Sequence, residues 1–313
     1  MKKILALLSL LLCLVGCSSG NNSKLKVGVV QLTQHQALDS ATDGFVHTLK
    51  AKYGENIDII VENGSGDSNT CSTIATNFVA DGVDLIMANA TPALLAAKNA
   101  TDSIPVLGTS VTEYGVALGI DNFNGVCGGK VSGTSGLAPL DQQAQMILEL
   151  LPETKVVGII YCTAEANSLY QVNEVEKYLK ELNVEVKVFK FTDSNDLSAV
   201  VQTACEDIDV LYVPTDNTCA SNGPLIADAA DKNNVPIITG EKECCLSVGG
   251  LATLSIDYYE LGKVTGEMAI KVLEGEDISK MPVEWFQGPQ KLIDMDKAAT
   301  FGVKVPSDYT SIK

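Results

Sequence analysis

The sequence predicts an α/β protein of two doubly wound, parallel-sheet lobes joined by a hinge of several crossing segments. Three observations lead there. From Lys24 onward short β-branched runs alternate with helical patterns, the runs are apolar along their whole length, and they recur in the same order about 130 residues later. Continuous apolar strands separated by helices mark parallel sheets covered on both faces.

In order, the expected strands are Lys26–Val30, Ile57–Val61, Val83–Met87 and Ile104–Leu107, then Val156–Tyr161, Val184–Phe191, Ile208–Val213 and Val235–Thr239. Between them Ala37, Leu38, Ala41, Phe45 and Leu49 repeat at helical spacing, as do Ile74, Phe78 and Val79, and Leu169, Val172, Val175 and Leu179. Val27–Val30 returns as Val157–Ile160, Asp84-Leu85-Ile86 as Asp209-Val210-Leu211, and Ile104–Leu107 as Val235–Ile238. Three pairs in one order are hard to ascribe to chance. Asp257–Leu273 forms one more helical pattern, and residues 282–313 are too few for a domain. The expected lobes are therefore 25–131 plus 254–281, and 132–253 plus 282–313. In such a fold the ligand lies between the lobes, outside the carboxyl ends of the strands.

Composition narrows the function. The chain has 313 residues, 46% hydrophobic and 19% charged, with a net charge of −17. The length fits two domains, and the apolar share excludes a disordered chain. So acidic a chain is not a nucleic-acid binder, because phosphate contacts need clustered Lys and Arg. Every basic residue is lysine, so no ligand anion can be held by a guanidinium fork.

The first residues read as a targeting segment. Lys2 and Lys3 precede an apolar run from Ile4 to Val15, too short for the roughly 20 residues a spanning helix needs. Leu14-Val15-Gly16-Cys17 resembles a bacterial lipoprotein processing box, which implies removal of residues 1–16 and a lipid on Cys17; an ordinary secretory peptide cut nearby is the alternative. Residues 17–24 then form a lipidated, flexible tether rich in Ser, Gly and Asn. Cys71, Cys127, Cys162, Cys205, Cys219, Cys244 and Cys245 remain, an odd number without a Cys-x-x-Cys pair. They read mostly as small buried hydrophobes, although an exported location permits a disulfide among a subset.

The strand ends supply the candidate ligand contacts. After the first strand stand Gln31, His35, Leu38 and Asp39; after the third Ala90 and Thr91; after the fourth Thr109 and Ser110. The second lobe offers Tyr161, Glu165, Asn167, Ser168, Thr215, Asp216, Asn217 and Glu241, with Ser135 and Asp257 added. Short hydroxyls and amides at helix starts, where N–H groups are exposed, favour an anion, and Asp216 or Glu241 would take an ammonium. A zwitterion fits. Taken singly, each such residue reads first as an ordinary N-cap, Thr91 before Pro92 most plainly.

Gln31-Leu32, His35–Asp39, Gly44-Phe45, Val79–Ile86, Ala90–Ala93, Glu165–Ser168, Tyr212–Thr218 and Asp257–Gly262 with Thr265-Gly266 carry a resemblance. Together they are similar to the ABC-transporter substrate-binding lipoproteins of the tryptophan/tyrosine-binding type, over nearly all of residues 25–306. The resemblance implies a periplasmic-binding-protein-like fold of the first type. It also implies delivery of a small solute, typically an aromatic amino acid, to a cognate ABC permease and its ATPase. The expected protein is a membrane-anchored monomer facing the extracytoplasmic side, without cofactor, metal or catalysis. Cys127, Cys162, Cys244 and Cys245 depart from that pattern.

Enzyme motifs fail. Two histidines leave little room for a His-based triad, the glycine-rich stretch Gly125–Val131 lacks P-loop spacing, and Asp67-Ser68-Asn69 lacks the downstream Glu of a calcium loop. A surface adhesin or sensor on the same scaffold is the rival reading, and an exported enzyme the weaker one.

Overall fold

Apolar β-branched runs become strands where their flanking helices can cover both faces, and the chain does this twice. The computed structural model describes residues 24–313; the leader, Cys17 and the tether up to Ser23 lie outside them. In the first lobe β1 (Leu25–Gln31), α1 (Gln36–Tyr53), β2 (Ile57–Asn63), α2 (Ser68–Ala80), β3 (Leu85–Asn89), α3 (Thr91–Ala100), β4 (Val106–Val111), α4 (Tyr114–Leu118) and β5 (Val131–Ser135) follow one another. The second repeats the plan with α5 (Leu140–Leu150), β6 (Val156–Cys162), α6 (Ala166–Glu181), β7 (Glu185–Phe191), α7 (Ser194–Ala204) and β8 (Val210–Val213). It continues through α8 (Asn217–Ser221), α9 (Gly223–Asn233), β9 (Ile237–Thr239), α10 (Lys242–Ser247) and β10 (Ala252–Ser255). Then come α11 (Tyr258–Leu273), β11 (Glu284–Trp285), β12 (Gln290–Ile293), α12 (Met295–Thr300) and β13 (Thr310–Ser311).

The sheets run β2-β1-β3-β4-β5-β11 and β7-β6-β8-β9-β10-β12-β13. The first five strands of each are parallel and ordered alike; β12 alone joins antiparallel to β10. The duplication reaches single side chains. Asp84, before β3, accepts a bond from the Lys26 N–H at the start of β1, and its counterpart Asp209 accepts from the Lys155 and Val156 N–H groups. Each carboxylate fastens the first strand of its lobe to the third.

The chain crosses between lobes three times, within 136–139, 256–257 and 286–289. The bounds read from sequence fall short there: Ser132–Ser135 and Glu284-Trp285 sit in the first sheet, and Leu254-Ser255 in the second. Strand pairing, not composition, sets where the crossings begin.

α11 returns to the first lobe and packs on α1. Glycine lets it. A Cβ on Gly44 would stand 2.1 Å from the Tyr259 carbonyl oxygen, and one on Gly262 2.0 Å from that of Ala41. Behind them Phe45, Leu49, Met268 and Ala269 join the core with Val27 and Val29 of β1. The seven described cysteines are free and all but Cys127 are buried.

Gly262→Ala is expected to destabilise the protein by about 1–3 kcal/mol, the cost of overpacking, although alanine normally gains in a helix interior. Thermal unfolding checks this; an unchanged or raised midpoint would show that the helix contact gives way.

Candidate functional site

The carboxyl ends of both sheets face each other across a narrow cavity between the lobes, the place where two-lobed α/β proteins take small molecules. His35, Leu38 and Ser110 line it from the first lobe, Asn167, Thr215, Asp216, Asn217 and Glu241 from the second. A narrow recess adjoins it, sharing Asn167 and Thr112 and lined also by Thr91, Ala166 and Tyr170. The mouth of the cleft holds Glu165, Thr218 and Asn222 facing Leu32, Thr33 and Ser68.

The lobes touch directly. His35 Nε2 lies 3.2 Å from Asn217 Oδ1, and Ala37 and Ala41 of α1 pack into a core shared with the second lobe. One carboxylate orders the second lobe's side. Glu165 Oε1 accepts from the Thr218 N–H and hydroxyl at 2.9 and 2.8 Å; Oε2 accepts from the Asn217 N–H and amide and from the Asn167 amide. Asp216 accepts from the Cys219 and Cys162 N–H groups at 2.9 and 2.8 Å. Between them Glu165 and Asp216 use up the first three N–H groups of α8. Glu241 does the same at α10, taking the N–H groups of Glu243 and Cys244. The N-termini of α1, α3 and α6 carry no side-chain cap.

Several buried polar atoms around this space have no protein partner: His35 Nδ1, Thr91 Oγ1, Ser110 Oγ and Asn167 Oδ1. Unmade hydrogen bonds of this kind cost about 1–3 kcal/mol each in a closed site. Two stand on strained backbone. Ser110 has φ 54° at a register shift in β4, a bulge that turns its hydroxyl into the cavity. Ala90 has φ 88° and presents Thr91 as the first residue of α3.

The profile of the family described as ABC transporter substrate binding protein matches residues 26–310. The chain belongs to the ABC transporter substrate-binding protein family. It is 38% identical over 299 residues to the tyrosine-binding protein of Clostridioides difficile (strain R20291), covering 90% of this chain and 86% of that one. Among solved structures it resembles the ABC domain in complex with L-Trp from Streptococcus pneumoniae. The TM-score there is 0.86 at 31% identity, over 91% of this chain and 97% of that one. It also resembles the ligand-free, open structure of a Clostridium difficile substrate-binding protein with adhesive properties (TM-score 0.70, 37% identity, 92% and 100% covered). The chain superposes better on the tryptophan complex than on the ligand-free, open structure, although it is less identical to it. The fold is that of type I periplasmic binding proteins.

Eight of the residues singled out in the sequence line this substrate-binding protein's cavity: His35, Leu38, Ser110, Asn167, Thr215, Asp216, Asn217 and Glu241. Glu165 lies at the mouth and Thr91 in the recess. The others do work inside their lobes. Gln31 donates to Asp39 and accepts from Thr42, a network within the first lobe, and neither Gln31 nor Asp39 lines the cavity. Thr109 belongs to a buried chain of hydroxyls with Thr134 and Thr265. Ser135 donates to the Thr112 carbonyl and Tyr161 is part of the core. Ala90 is buried in the first lobe's core. Ser168 is buried, with its hydroxyl near the Asn167 amide and Asp216. Asp257 is an exposed N-cap of α11. Thr91, expected as the plainest cap, is no cap at all: Ala90 holds that position and the hydroxyl is free.

Ala37, Thr112, Ala220 and Tyr258 also line the cavity. Tyr258 opens the helix that follows a crossing, a position strand-end reasoning does not reach. Among the described residues no group of His, Cys, Asp or Glu is placed to hold a metal, and no helix is long and apolar enough to cross a membrane.

Burial, then the neighbouring Glu165 carboxylate, push the Asp216 carboxyl up to about 7, against the pull of its N–H partners. Burial and Glu243 likewise raise Glu241. Asp216 thus binds its proton more tightly folded than unfolded, near its ordinary 3.8. Its contribution to stability is full below about pH 4 and is lost as pH rises to about 7. Asp216→Asn should therefore reduce the fall in thermal midpoint between those pH values; an unchanged profile would exclude Asp216 as its source.

Proposed function

We propose that the chain is an extracytoplasmic lipoprotein, anchored through Cys17, whose lobes close on a free aromatic amino acid and present it to an ABC permease and its ATPase. The protein would bind as a monomer and release its ligand unchanged. The observation that carries this reading is the set of unpartnered buried polar atoms contributed by both lobes to one closed cavity: His35 and Ser110 from the first, Asn167 from the second.

The partition of charge supports a zwitterion. α3 and α6 turn uncapped N-termini toward the recess that Thr91 and Asn167 line together with Glu113, whose carboxylate is engaged by the Val116 N–H of α4, which suits a ligand carboxylate where no arginine exists. The free Asn167 Oδ1 and the Asp216 carboxylate face the cavity as acceptors, which suits an ammonium. No lysine lines cavity, recess or mouth. Leu38, Ala37, Ala220 and Tyr258 supply apolar wall for an aromatic side chain. The tyrosine-binding relative and the L-Trp complex support the aromatic class.

Calorimetry with L-tyrosine, L-tryptophan and L-phenylalanine tests this. At least one should bind with micromolar or tighter affinity and its methyl ester much more weakly. Thr91→Val and Asn167→Ala should each cost about 1–3 kcal/mol of binding. An ester that binds as tightly as the free acid would remove the zwitterion from the account. The adhesive relative favours a second reading, attachment to a macromolecule; it would prevail if the chain took up no amino acid and bound such a partner instead.

A further inference from the structure

We propose that His35 reads the ligand's side chain: its Nδ1 accepts a hydrogen bond from a phenol O–H or an indole N–H, and an aromatic amino acid lacking that donor is rejected. The proposal rests on the cavity being an aromatic amino-acid site and names what selects within that class.

The tautomer is set by a chain of fixed partners. Glu165 Oε2 accepts from the Asn217 side-chain amide nitrogen, so Asn217 Oδ1 is the atom turned toward His35. A carboxamide oxygen only accepts, so His35 Nε2 carries the hydrogen and donates across the cleft at 3.2 Å. In the neutral ring Nδ1 is then a bare lone pair. That atom is buried, has no protein partner, and belongs to a residue lining the cavity. His35 has no competing duty at α1, where it occupies the N-cap position without a side-chain cap. Burial also holds the imidazole below its ordinary basicity, even against the charges of Glu165, Asp39 and Glu243.

The ammonium of the ligand has other acceptors. Asn167 donates through its amide to Glu165, Ser168 and the Thr215 carbonyl, which leaves Oδ1 free in a residue that lines the cavity, as Asp216 does. Nδ1 is an additional acceptor, carried by the first lobe. A site built around a buried acceptor discriminates strongly against an isostere without the matching donor, because the acceptor is then left unpaired. Phenylalanine is that isostere for tyrosine.

Calorimetry on wild type and His35→Phe with L-tyrosine, L-tryptophan and L-phenylalanine tests the proposal. Wild type should hold tyrosine or tryptophan at least about tenfold more tightly than phenylalanine. In the variant, which also loses the bond to Asn217 whatever the ligand, the preferred ligand should lose about 5- to 100-fold more than phenylalanine does. Equal losses for all three would overturn it, placing His35 on the ammonium or in the closure contact; so would an unchanged preference. Wild type that binds none of the three would instead sink the aromatic reading itself. Wild type also gives a readout without mutation. In nitrogen-15 spectra of the two histidines, His47→Gln assigning the second, the unprotonated Nδ1 of His35 should shift with tyrosine or tryptophan and not with phenylalanine. The same shift with phenylalanine, or none with any of them, contradicts the proposal.

Discussion

The polar groups that the second lobe offers to the cavity take their orientation from the carboxylate of Glu165. It accepts from two backbone N–H groups, one hydroxyl and two amides. Those bonds hold Asn217 with its oxygen toward His35, and leave the oxygen of Asn167 without a protein partner. A carboxylate buried without a cation is costly unless hydrogen bonds replace its water, and here a helix N-terminus provides them. The arrangement follows from the composition. With no arginine in the chain and no lysine lining the cavity, backbone N–H groups balance the cleft carboxylates.

The same constraint splits two lobes that share a fold. Asp84 and Asp209 repeat one fastening at equivalent places, and the five parallel strands of each sheet have the same order. At the strand ends the copies diverge. The difference lies at one place: α8 is closed by Glu165 and Asp216, whereas its counterpart α3 stays open. Duplication provided the scaffold, and that one cap sets the two copies apart at the cleft.

Apolar strands were legible in the sequence because burial on both faces writes them as unbroken β-branched runs. Val131–Ser135 and Ala252–Ser255 were not. Their hydroxyls and glycine conceal strands whose polar atoms bond inside the protein, Thr134 with Thr109 and Thr265, Ser132 with the Met281 carbonyl. The site was legible by region rather than by residue. Strand-end logic found His35, Ser110, Asn167 and Asp216, and equally gathered Gln31 and Asp39, which satisfy each other. Sequence spacing cannot tell a hydroxyl that caps a helix from one left free, and Thr91 shows how far that matters: a one-residue change in where α3 begins leaves its hydroxyl buried without a partner.

The central claim is that this carboxylate sets up a site on which the lobes close. Small-angle scattering of wild type and Glu165→Gln, with and without the amino acid that wild type binds, tests it most directly. Glutamine would turn an amide N–H₂ toward donors that need an acceptor. Wild type should contract on adding ligand, with a smaller radius of gyration, whereas the folded variant should keep its ligand-free dimensions at the same concentration. A variant that contracts as fully as wild type, at equal affinity, would contradict the account.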